Sequence, residues 1–157
     1  MKSNKLLLLM LIPIFLVGCH INESQNIDSE ELVSTSGLSS DNEIEEETMK
    51  LFIDNNEVNI SWENNNSVEA LKNIKPLNIN MHRYGGFEQV GPIGQNIVSD
   101  DIDMTTVPGD VVLYSSNQIV IFFGSNSWDY TKLGHINMSN EELNTLLNKE
   151  NVVIDIK

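Results

Sequence analysis

Between residues 49 and 157 the apolar positions fall in short runs broken by polar clusters. Apolar-rich runs at 49–53 and 58–62 flank Asp54-Asn55-Asn56-Glu57, a spacing that predicts a β-hairpin with a four-residue loop. Residues 67–73 predict a short helix, with Asn66 as its cap, Glu69 three residues on, and Val68, Leu71 and Ile74 on one face. Pro76 ends it. Leu77-Asn78-Ile79-Asn80-Met81 alternates apolar and polar, as a half-buried strand does.

The second half repeats this texture. Val107-Pro108-Gly109-Asp110 is a turn with proline at its second position, and it feeds Val111-Val112-Leu113-Tyr114. Ser115 to Gln118 turn the chain onto residues 119–123, a run apolar on both faces and therefore a central strand. Ser139 and Glu142 form a capping box for a helix over 140–148 that uses Leu143, Leu146 and Leu147. Residues 152–156 close the chain as a strand. Many short strands with two short helices predict a mainly β protein, a closed barrel capped at its ends, and about 109 residues suffice for one core.

The first 48 residues follow another pattern. Lys2 and Lys5 precede an apolar run at 6–17, which is shorter than the roughly 20 residues a spanning helix needs and is interrupted by Pro13. It ends in Leu16-Val17-Gly18-Cys19, which resembles a bacterial lipobox. Residues 1–18 are therefore expected to be a lipoprotein signal peptide, with Cys19 lipidated as the new N-terminus and the chain held on the outer face of a bacterial cell membrane. The plainer alternative is a free cysteine after an ordinary cleavage site. Cys19 is the single cysteine, so no intramolecular disulfide forms.

Charge refines this division. Residues 20–48 carry nine acidic side chains and no lysine or arginine, a composition that cannot offset its ordering entropy by burial. Together with Cys19 it reads as a tether, of roughly 30 Å root-mean-square span. The whole chain carries a net charge of −14, which argues against nucleic acid as a partner. A monomer is expected.

Three segments then carry a resemblance. They are Ser61-Trp62-Glu63-Asn64-Asn65, Tyr84-Gly85-Gly86-Phe87-Glu88-Gln89-Val90-Gly91, and the stretch from Thr105 to Tyr114 with Asn117 to Trp128. Together they resemble the bacterial cyclophilin-like domain family over residues 49–157. The resemblance implies a closed eight-stranded barrel with helices at its ends, and no common activity.

True cyclophilins isomerise the bond before proline, against an uncatalysed barrier of about 18–20 kcal/mol. They use an arginine to hydrogen-bond the prolyl amide and an aromatic pocket for its ring. His82-Arg83 followed by Phe87 and Gln89 is similar to their pattern, with Arg83 as the polarising cation; Trp128 and His135 loosely echo a distal pair. The frame departs from the pattern. One residue is missing between arginine and phenylalanine, Gly85 replaces a proline, and Gln89 follows Phe87 by two residues where three are expected.

Two readings of this stretch stand. In one, His82, Tyr84, Phe87 and Gln89 join Trp128 and Tyr130 around a groove for an extended peptide or small ligand. In the other, Gly85 and Gly86 make a positive-φ turn and Phe87 is core. No phosphate-binding loop, nucleophile elbow or metal-ligand spacing occurs, so neither cofactor nor metal is expected. Asp100, Asp101 and Asp103 read as a solvated acidic loop.

Overall fold

The computed structural model describes residues 48–157, so the signal, Cys19 and most of the tether lie outside the described residues. Ten strands and two helices follow in chain order. The first four are β1 (Leu51–Ile53), β2 (Asn56–Val58), β3 (Ile60–Trp62) and α1 (Asn66–Ile74). Next come β4 (Leu77–Tyr84), β5 (Glu88–Pro92), β6 (Ile102–Thr105) and β7 (Asp110–Tyr114). The last are β8 (Gln118–Phe122), β9 (Ser127–Ile136), α2 (Asn140–Leu147) and β10 (Asn151–Ile156).

All sheet pairings are antiparallel, in the order β2-β1-β10-β4-β5-β8-β7-β9-β3, with β6 paired to β9 alone. The two ends of that order meet in one stretch of chain. Residues 56–62 bend at Asn59, so that β2 pairs with β1 on one side and β3 pairs with β9 on the other. Counted as a single bent stave, β2 and β3 bring the barrel to eight, as expected. β6 is an added strand outside the ring.

The first hairpin turns more tightly than its sequence spacing indicates. Ile53 pairs directly with Asn56, and Asp54 and Asn55 alone make the turn, both at positive φ (49° and 66°). Asparagine and aspartate tolerate that conformation, which matches the twist of the flanking strands. Helix α1 is capped by Asn65, one residue before the expected Asn66. The Asn65 side chain accepts the Val68 amide at 3.0 Å, and its own amide donates to the Lys132 carbonyl at 2.8 Å. Asn65→Ala, which severs both bonds, is expected to cost about 1 kcal/mol, read as a lower chemical-denaturation midpoint with unchanged m-value.

The core fills the barrel. Val111 and Leu113 of β7, Ile119 and Ile121 of β8, and Ile79 and Met81 of β4 join Leu71 of α1 and Leu143 and Leu147 of α2, all buried. The alternate residues Val112, Val120 and Phe122 point outward, yet they are buried too. They form a second cluster with Tyr130, backed by half-buried Phe87 and Met104. This explains why residues 119–123 are apolar on both faces: an outer layer covers that part of the barrel.

Strand β9 supplies the layer. Val111 pairs with Gly134 while Val112 pairs with Lys132, leaving Leu133 as a bulge. A bulge bends its strand and increases local twist. Beyond it, residues 127–130 pair with β6 instead of the barrel, as a two-stranded ribbon. Residues 88–92, 102–105 and 127–136, which the sequence pattern does not mark as strands, are therefore strands β5, β6 and β9.

Candidate functional site

A cavity of about 360 Å³ lies on the outer face, floored by β5 and β8 and walled by the β9 ribbon. Strand alternation decides which side chains reach it. On β5, Glu88 and Val90 face outward into the cavity, while Gln89 faces the barrel interior and is fully buried. On β9, Trp128 and Tyr130 share the cavity face, and Tyr84 at the end of β4 pairs across to Glu88. Tyr114 of β7 completes an aromatic surround.

The aromatic side chains differ in exposure. Trp128 is 59% exposed and Tyr84 69%, so both stand at the rim. Tyr130 is buried and packs edge-on against Phe122 at 5.6 Å and Tyr114 at 5.9 Å. Its hydroxyl accepts the Asn126 amide at 3.0 Å, which leaves its own proton free to donate. Burial raises the Tyr130 phenol above its ordinary range; the Asn126 bond offsets part of that rise, and the neighbouring Glu88 carboxylate adds to it.

Glu88 is the chemical focus. It is 6% exposed, and its Oε2 is enclosed without a hydrogen-bond partner among the described residues. Burial alone pushes its carboxyl from an ordinary 4.5 up to about 7. The cavity offers no cation of its own: Tyr84, Tyr114 and Tyr130 are its other titratable groups, and Gln118 and Asn126 are neutral.

The residues singled out in the sequence divide. Tyr84, Trp128 and Tyr130 come together around the cavity. Phe87 lies behind it, stacked on Phe122 with ring centroids 6.5 Å apart. Gly85 (φ +60°) and Gly124 make its slot, since a Cβ on either would come within 2.6 Å of Phe87 carbon atoms. Gly85 and Gly86 form a positive-φ turn, and the strand leaving it contributes Glu88 and Val90 to the cavity lining.

Three expected site residues stand elsewhere. Arg83 has the facing of Met81, toward the α2 end of the barrel. Its guanidinium donates to Asn148 Oδ1 at 2.9 Å and lies 3.6 Å from Glu150 Oε2. Gln89 donates to the carbonyls of Leu147 (2.7 Å) and Lys149 (2.8 Å), fastening the end of α2. His82 faces outward but contacts Asn151 Oδ1 of β10 at 2.5 Å, away from the cavity. For Arg83 and Gln89 the cause is register: they pair with each other, as Tyr84 does with Glu88, so adjacent residues point to opposite faces; His82 shares the outer face and pairs with Val90, but its ring turns to β10. Glu88 itself was not singled out, because nothing local in the sequence shows that a surface-type residue will be covered by a distant ribbon.

Two other places merit comparison. A larger hollow of about 970 Å³ beside α1 is lined by Glu63 and by two ion pairs, Lys50 with Glu57 at 3.2 Å and Lys72 with Glu69 at 2.7 Å. Ser61, His135 and Asp110 stand in register across β3, β9 and β7. The Asp110 carboxylate is held by His135 Nδ1 (2.9 Å), Lys132 Nζ (3.2 Å) and the Val107 amide (3.0 Å). Burial would raise its pKa, but these bonds overcome that and hold it below the usual range. Ser61 Oγ is bonded by Asn137 instead of His135, so the row locks the 107–110 turn. Of the acidic loop, Asp101 anchors the chain through the Thr131 hydroxyl at 2.5 Å, and Asp103 lies on β6. No cluster of three or more metal-ligating side chains occurs among the described residues.

The closed antiparallel barrel, helices at its ends and an aromatic recess on its outer wall define a mainly β domain of the cyclophilin type. Residues 51–157 match the cyclophilin-like family, and the chain belongs to it. No curated protein matches the chain significantly.

Proposed function

We propose that this is a lipid-tethered, extracytoplasmic binding module whose ligand, an extended peptide or a small molecule, sits in the outer-face cavity. One observation carries the reading: a buried carboxylate, one oxygen of which has no partner among the described residues, lies at the base of a recess rimmed by exposed aromatic rings. Exposed Trp and Tyr at a concave site are what recognition uses, since they give contact area at low entropic cost. Trp128 supplies its own reporter. Titrating the full chain with Ala-Xaa-Ala tripeptide amides, Xaa being lysine, norleucine, proline or glutamate, should shift Trp128 emission and the Tyr130 ring resonances. Silence with every peptide would sink the reading.

Arg83 is a structural tie in this reading, not a catalyst. Arg83→Ala is expected to leave the cavity resonances in place and to cost about 1 kcal/mol or less, since its partners are solvent-screened. Proline isomerisation above background that disappears in Arg83→Ala would restore an enzymatic role. Support for the tether comes from the lysine-flanked apolar run and the Leu16-Val17-Gly18-Cys19 tetrad. Mass spectrometry of the mature protein should find diacylglycerol on Cys19; an unmodified thiol would remove the anchor.

A further inference from the structure

We infer that the outer-face cavity selects a cation, specifically an ammonium group carried on an apolar stem such as a lysine side chain, with Glu88 as its counter-ion. The inference rests on the cavity being a binding site and specifies what it binds. Three features converge. Glu88 Oε2 is enclosed and without a partner among the described residues, so a buried acceptor awaits a donor. The surrounding side chains are aromatic: Trp128 and Tyr84 at the rim, Tyr114 and Tyr130 deeper. Ring faces attract a cation placed within about 6 Å of the centroid, and Trp does so best. Third, the cavity includes no lysine, arginine or histidine that would satisfy Glu88 internally.

The apolar stem follows from the remaining lining. Val90 and Val120 lie on the floor beside Glu88 and offer only hydrocarbon. A methylene chain would cover them while its head reaches the carboxylate, in a charge-assisted hydrogen bond. A hydrated metal ion would leave both the valines and the rings unused. An anionic ligand would meet an enclosed carboxylate and a strongly acidic chain.

Binding should also be proton-linked. The groups facing Glu88 are Tyr84 from β4, Tyr114 from β7 and Tyr130 from β9, with the amides Gln118 from β8 and Asn126 and no lysine, arginine or histidine among the described residues that line the cavity. The affinity for a cation therefore follows the ionisation of Glu88, rising with pH and levelling above about 7.

The test uses the full chain, observed by Trp128 fluorescence and two-dimensional NMR. N-acetyl-lysine methylamide is compared with its neutral counterpart N-acetyl-norleucine methylamide, and with n-butylammonium. Lysine should bind at least tenfold tighter than norleucine, the preference should vanish in Glu88→Gln, and affinity should rise about thirtyfold from pH 5.5 to 8. Tighter binding of the lysine amide than of butylammonium would assign the cation to a peptide; equal binding would assign it to a free amine. If norleucine binds as well as lysine, or if Glu88→Gln keeps the preference, the cavity stands as a site and the cation inference falls. If no probe moves Trp128 or Tyr130, both fall together. Trp128→Ala, at an exposed rim position, serves as a second variant whose fold is not at risk.

Discussion

Glu88→Gln is expected to stabilise the protein at pH 8 and to leave it nearly unchanged at pH 4. The folded carboxyl titrates near 7 and the unfolded one near 4.5, so the folded state holds the proton more tightly. Stability from this group is complete below about pH 4.5, declines as pH rises to about 7, and is flat above that. The full span corresponds to roughly 3 kcal/mol at 1.36 kcal/mol per pKa unit. Urea denaturation at pH 4, 6 and 8 reads it directly. A wild-type curve without a decline between pH 4.5 and 7, or a variant that shares that decline, would show that Glu88 is solvated. The lowered Asp54 and Asp110 act at more acidic pH and do not overlap this window.

Phe122→Ala should bring the largest loss of stability, about 3–5 kcal/mol. The ring is fully buried, stacked on Phe87 and met edge-on by Tyr130. Its removal leaves a void between barrel and ribbon that Phe87 is not free to close, because Gly85 lies against its ring and Gly124 against its Cβ. A reduced denaturation midpoint together with a broadened Tyr130 resonance is the expected signature. A loss under about 1 kcal/mol would mean that the outer cluster contributes little to holding the ribbon down.

Glu88 and Phe122 also show what the sequence makes legible. The inner barrel is readable because its periodicity is local: Val111 to Tyr114 and residues 119–123 declare themselves, as do the Ser139 capping box and the stop at Pro76. Strand β9 is not readable, since Trp128 and Tyr130 stand among polar residues without a continuous apolar face, Gly134 interrupts it, and it changes partner at the Leu133 bulge. The same limit governs the site. Tyr84, Trp128 and Tyr130 stand out as aromatics among polar neighbours, and the structure gathers them. Gln89 and Arg83 match an enzyme pattern in sequence, but facing is set by pairing register, which points both away from the cavity. The burial of Glu88 depends on residues about 40 positions later, which no local pattern announces.

Residues 119–122 form one wall of the core and, on alternate side chains, the floor of the cavity. A floor made of central barrel strands opens only when the whole domain unfolds, so its amides should exchange on the slowest timescale in the molecule. The ligand proposed for this cavity would then meet a floor already fixed in place, at little ordering cost from that floor.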